Sequence, residues 1–150
     1  GSPLRHAAFR PAGRAIAAGG ADGDGRITAL DGAELGRIAT GEPVVHFAWS
    51  ADGTRILASL RQSKSAQLWT VATPGEPELR FDGHTSLIEH TAWSRDGSLA
   101  ITAARDGIAC IWPTDPVGVA RRLPLRALTD AERRSNRVDA GQVAPRSKPD

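Results

Sequence analysis

His6-Ala7-Ala8-Phe9-Arg10-Pro11-Ala12-Gly13 returns 40 residues later as His46-Phe47-Ala48-Trp49-Ser50-Ala51-Asp52-Gly53, and 44 residues after that as His90-Thr91-Ala92-Trp93-Ser94-Arg95-Asp96-Gly97. Each copy holds a His, a variable residue, an Ala, an aromatic ring and a turn that ends in Gly. A period near 40 residues is the mark of a repeat architecture. Asp52-Gly53 and Asp96-Gly97 are tight-turn signals, so a strand stands on either side of each. The runs after the turns, Ala15 to Gly19, Arg55 to Leu60 and Leu99 to Ala104, are rich in Ile, Leu and Ala and too short for helices, which predicts buried strands. A third strand is expected over Arg26 to Leu30, Ala66 to Trp69 and Ile108 to Trp112, closed by a large residue at Leu30, Trp69 and Trp112. A fourth, more polar strand is expected over Glu34 to Ile38, Glu78 to Phe81 and Val119 to Leu125. Four antiparallel strands at this period describe propeller blades.

The third unit reads Asp82-Gly83-His84-Thr85, then Ala92-Trp93-Ser94-Arg95-Asp96-Gly97, then Arg105-Asp106-Gly107 and Ile111-Trp112. In this it resembles the WD40 repeat family over roughly residues 4 to 115. The resemblance implies a buried hydrogen-bond network of His84, Thr102, Asp106 and Trp112. An Asp beneath a blade must be paired, and an imidazole N–H with a hydroxyl meets that need. The second unit has Gly41-Glu42 in place of Gly-His and Ser63 in place of the Asp, so its blade is expected to rely on apolar packing. The first keeps Asp24 six residues before Leu30, with Leu where the Trp would stand.

The resulting expectation is an all-β partial propeller of three four-stranded antiparallel blades, a short helix and a disordered tail. Blade 1 spans 1–40, blade 2 spans 41–82, blade 3 spans 83–127, and the tail spans 128–150. Leu128-Thr129-Asp130-Ala131-Glu132 carries a capping box that predicts a short helix from Thr129. Propellers close with about four to eight blades, so three imply either upstream blades or further copies of the chain. The start at Gly1-Ser2-Pro3, without Met, favours a piece of a longer protein.

Charge separates along the chain. Residues 1–115 carry 11 basic and 13 acidic side chains, and residues 116–150 carry 8 and 4, so the net +2 belongs to the C-terminal end. The arginines there lack interleaved aromatics, which argues against nucleic-acid binding. No apolar run reaches the ~20 residues of a membrane span. The single Cys110 excludes an intramolecular disulfide and fits a cytoplasmic setting.

No residue is assigned to catalysis, to a metal or to a cofactor. His6, His46 and His90 recur, but each is expected to sit in its own blade's packing, which keeps them from converging on one ion. Asp22-Gly23-Asp24-Gly25 lacks the ligand series of a calcium loop, and Ser63 and Ser65 have no His beside them. By analogy with WD40 relatives, a protein or peptide partner would dock on the loops before each first strand and between the second and third. That rim takes Leu87, Glu89 and Arg105 from the third unit, Val45 and Gln62 from the second, and Arg5 and Gly23 from the first. The expected role is a non-catalytic interaction or scaffold module, the sensory end of a larger bacterial signalling protein linked to a kinase, NTPase or protease. Two alternatives stand beside it: a three-blade module that self-assembles into a ring, and part of an enzyme-type or TolB-like propeller.

Overall fold

The computed structural model describes residues 3–11, 13–73 and 75–122. The first sheet runs β1 (Leu4–Phe9), β2 (Ala15–Gly20), β3 (Asp24–Ala29) and β4 (Glu34–Ala39), and the second β5 (Val44–Trp49), β6 (Arg55–Leu60), β7 (Ala66–Thr70) and β8 (Leu79–Phe81). A third holds β9 (Ile88–Trp93), β10 (Leu99–Ala104) and β11 (Ala109–Pro113). Within each sheet the strands pair antiparallel in chain order, with the repeat-opening strand at one edge. The chain is thus an all-β array of propeller blades, and its sheets form one compact unit that ends at Pro116.

The β5–β6 and β9–β10 hairpins close by the same side-chain chemistry, whereas the β1–β2 turn, Arg10-Pro11-Ala12-Gly13, has no Ser or Asp to supply it. Ser50 Oγ donates to Asp52 Oδ1 at 2.6 Å, while Asp52 accepts Thr54 N–H and Ser50 Oγ accepts Arg55 N–H. Ser94, Asp96, Ser98 and Leu99 repeat the pattern in the third sheet. Gly53 and Gly97 follow at φ 68° and 70°, a left-handed backbone that disfavours other residues.

The sheets bury their faces against one another. Ala15, Ala17, Ile27 and Ile38 of the first pack on Val44, Phe47, Ile56, Leu60 and Trp69 of the second. Leu57, Leu68 and Phe81, on the second sheet's other face, pack on Ile88, Ala100 and Trp112 of the third. This explains why β6 reads as a continuous apolar run, since it is covered on both sides. A fully buried side chain of this size contributes about 1.5–3 kcal/mol. Packing between blades therefore outweighs any single turn bond, worth roughly 1 kcal/mol.

Two strand expectations are corrected. Val119–Leu125 does not open as a fourth strand: Pro116–Arg122 is the helix α1 and 123–125 lie outside the described residues. Pro116 at the first helical position, after Asp115, is the start signal that the strand reading passed over. The expected helix at Thr129 and the tail also lie outside the described residues. Leu30 does not take the place of Trp69 and Trp112. Register pairs Trp69 with Ile56, Trp112 with Ala100 and, at the equivalent point, Thr28 with Ile16. Leu30 lies past the strand and is 65% exposed.

That shift of two residues has a physical origin in the doubled Asp-Gly. Gly23 adopts φ 81° and Asp22 accepts Asp24 N–H, matching Gly107 at φ 80° and the Ile108 N–H bond to Asp106. Gly25 must instead enter the strand, because a Cβ there would lie 2.8 Å from Phe47 Cζ, and one on Gly19 2.6 Å from Phe47 Cε2. The Phe47 ring thus fixes the register of the first blade from the second.

Candidate functional site

The structure brings His84, Thr102, Asp106 and Trp112 together. His84 Nδ1 lies 2.9 Å from Asp106 Oδ2, His84 Nε2 lies 2.7 Å from Thr102 Oγ1, and Trp112 Nε1–H donates to Thr102 Oγ1 at 2.9 Å. A neutral His84 satisfies every member: Nδ1–H donates to the carboxylate, and Nε2 accepts the hydroxyl proton. The His84 and Asp106 side chains are almost closed to solvent. Burial alone would raise the Asp106 pKa. Hydrogen bonds from His84 and from the Ile108 and Thr85 N–H groups outweigh it and bring the group down to about 2.

The other blades lack this arrangement for reasons visible in register. Ala58 stands where the third blade has Thr102, and the buried Trp69 Nε1–H has no hydrogen-bond partner among the described residues. Glu42, in place of the His, turns its Oε2 to Gln62 and Ser63 N–H at 2.6 and 2.8 Å. In the first blade Ala18 and Thr28 replace the hydroxyl and the indole. A cavity of about 300 Å³ opens beside them, lined also by Leu4, Ile16 and Arg26. Asp24 pairs with Arg37 at 3.0 Å.

Loops at one end of each sheet are tied to each other. Ala21 N–H donates to Pro3 O, Arg61 N–H to Pro43 O and Arg105 N–H to Leu87 O, so the loop before the first strand meets the loop between the second and third. The equivalent His6, His46 and His90 meet across neighbouring blades, so the inner strands lie side by side and these loop pairs stand at the same end of each sheet. Arg105 and Glu89 form an ion pair there at 2.7 Å with side chains 63% and 44% exposed, and Arg5 and Gln62 are exposed. Leu87 and Val45 are half-buried. Gly23 is buried beneath Thr40, whose N–H and hydroxyl both donate to its carbonyl, and it does not belong to the exposed rim.

The contacts between blades follow a rule that sequence reading missed. Trp49 Nε1–H donates to Ala8 O and Trp93 Nε1–H to Ala48 O, each at 3.0 Å. Arg10 lies over the Trp49 ring and donates to Gly53 O, and Arg55 lies over Trp93 and donates to Gly97 O. A further correction concerns the histidines, which do not sit in separate packing. The His6 and His46 rings meet at 4.1 Å with a 36° tilt, and His46 meets His90 edge-on at 5.4 Å, because the inner strands β1, β5 and β9 lie side by side. The repeat itself was the available signal, since equivalent positions on adjacent blades must be neighbours. Among the described residues, no group of three or more His, Cys, Asp or Glu is placed to hold a metal ion, and no helix is long and apolar enough to cross a membrane.

The chain is similar to known proteins. The family model described as WD domain, G-beta repeat matches residues 75–113. WD repeat-containing protein 1 of Rattus norvegicus and of Bos taurus are each 32% identical over 114 residues, 73% of this chain. The chain spans 19% of the length of these curated relatives. Among solved structures, the crystal structure of a mitotic checkpoint complex contains a chain that matches 73% of this one with a TM-score of 0.65 and 22% identity, over 37% of its own length. Repeat, blade topology and these matches converge: the chain carries WD40 repeats, folded as three consecutive propeller blades.

Proposed function

We propose that this chain is a non-catalytic protein-interaction module, and that its partner docks on the rim formed by Arg5, Gln62, Glu89 and Arg105 with Val45 and Leu87 at its base. The observation that carries this reading is the alignment of loop pairs, which sets exposed polar and charged ends in a row on a rigid, packed support. Binding residues on loops held by a scaffold are a common solution to recognition. The four-residue network acts in this reading as a brace: it fixes the Asp106 loop, which carries Arg105, against the Thr85 loop, which precedes Leu87. The mitotic checkpoint complex that contains the structural neighbour is a protein assembly, which favours a protein partner here.

The same reading extends to context. The chain's share of its relatives, 19%, supports a place within a larger protein. An Ala-, Arg- and Gly-rich composition fits a bacterial source and the single Cys110 a cytoplasmic setting, for a signalling protein in which the blades sense or scaffold.

Affinity capture compared across variants tests the role. A discrete partner retained by the wild type and by Arg80→Glu on an outer strand, but lost with Arg105→Glu and with Arg5→Glu, supports it. Retention by every rim variant, or turnover of a substrate that depends on a residue of this chain, contradicts it.

A further inference from the structure

His6 makes a contact that only one of its protonation states allows. The Phe47 backbone N–H donates to His6 Nδ1 at 3.0 Å across the junction between the first two blades. A backbone N–H is never an acceptor, so Nδ1 must be the unprotonated nitrogen, and a neutral His6 carries its proton on Nε2. A second proton would set N–H against N–H and end the bond. His46 differs: its Nδ1 lies 3.0 Å from Thr91 Oγ1, and a hydroxyl serves as donor or acceptor by rotating. The three adjoining rings therefore contain one junction bond that is conditional on charge and one that is not.

We propose that the His6–Phe47 bond is a proton-sensitive latch between the first and second blades, closed while the His6 imidazole is neutral and released when it takes up a second proton. Among the described residues its site holds no compensating anion. Strand β2, which pairs with β1, carries no titratable residue, and β5 carries only His46. Strand β9 offers His90 and Glu89, the latter held by Arg105. On β6, Arg55 is turned to Gly97 O and the Trp93 ring, and on β1 Arg5 is exposed. Among the described residues, a proton on His6 thus meets two imidazoles and no free carboxylate. Burial, then repulsion from His90, hold the His6 pKa below its ordinary 6.5, so the latch is closed at neutral pH and opens on the acid side. Release falls at a sensitive point, since Phe47 is the ring clasped by Gly19 and Gly25.

The test is nuclear magnetic resonance of the isotope-labelled full chain, following imidazole nitrogens and the Phe47 amide together. At pH 7.5 His6 is expected as the Nε2–H tautomer. As His6 titrates, Phe47 amide protection, corrected for intrinsic exchange, should fall on the order of fivefold, the worth of one such hydrogen bond. His6→Gln, whose side-chain oxygen accepts at any pH, should keep that protection over the same range. His90→Gln should keep the latch and move its release to higher pH. Equal loss of protection in His6→Gln, or a Phe47 amide indifferent to the His6 titration, overturns the proposal. Should His6→Gln not fold, the wild-type spectrum alone decides, because a protonated Nδ1 in the neutral ring contradicts the latch.

Discussion

Thr102 holds two buried nitrogen groups at once, His84 Nε2 and Trp112 Nε1, through a single hydroxyl that is itself fully buried. Thr102→Val keeps the shape and removes both bonds. Leaving a buried polar group unpaired costs about 1–3 kcal/mol, so urea denaturation should show a loss of about 2 kcal/mol or more, and Thr102→Ser should recover much of it. Protonation gives a second residue-scale expectation. Burial, then repulsion from His6 and His90, hold His46 at about 4 in the fold against an ordinary 6.5. The unfolded chain therefore binds that proton first, and stability falls as pH drops from about 6.5 toward 4. Asp52 and Asp96, held at about 2 chiefly by the hydroxyls of Ser50 and Ser94, and Asp106, held there mainly by His84 against burial, act in a lower window. Their contribution is present above the ordinary 3.8 and is lost as pH falls toward 2. Denaturation midpoints measured from pH 8 to 2 should show both losses, and His46→Gln should reduce the upper one, leaving the part that His6 contributes.

At the scale of the strand, register is set by what lies across the blade junction. Gly25→Ala would push a methyl into the Phe47 ring, an overpacking that costs about 1–3 kcal/mol. Thermal denaturation should show a clear fall in midpoint, and Phe47→Leu in the same chain should recover part of it. These contacts also explain which elements could be read from the residues. The hairpins were legible, because Asp-Gly turns and short apolar runs are local signals. So was the grouping of His84 with Thr102, Asp106 and Trp112, whose motif stands almost intact in the third unit. Thr28 was not: Asp22-Gly23 and Asp24-Gly25 are equivalent by eye, and only the ring of Phe47, 22 residues on, separates them. The helix Pro116–Arg122 had its Asp-Pro start signal, which the expectation of a fourth repeat strand overrode.

Across the whole molecule, the repeated units become a structure through what passes between them: Trp to carbonyl, Arg to ring and turn, and imidazole to imidazole. None of these pairs is close in sequence, which is why the histidine row escaped a residue-by-residue reading while the blade order did not. Trp93→Phe would keep the ring beneath Arg55 and remove the N–H bond to Ala48, so a modest loss of about 0.5–1.5 kcal/mol is expected in denaturant titration. The same alignment gives the rim its continuity, and the rim is where the proposed function stands or falls. Hydrogen-exchange mass spectrometry of the chain, alone and with its captured partner, maps that surface directly. Added protection in the loops at 40–45, 61–65, 82–89 and 105–108, with strands β4 and β8 unchanged, is the expected result; protection confined to those outer strands, with the loops unaltered, would contradict it.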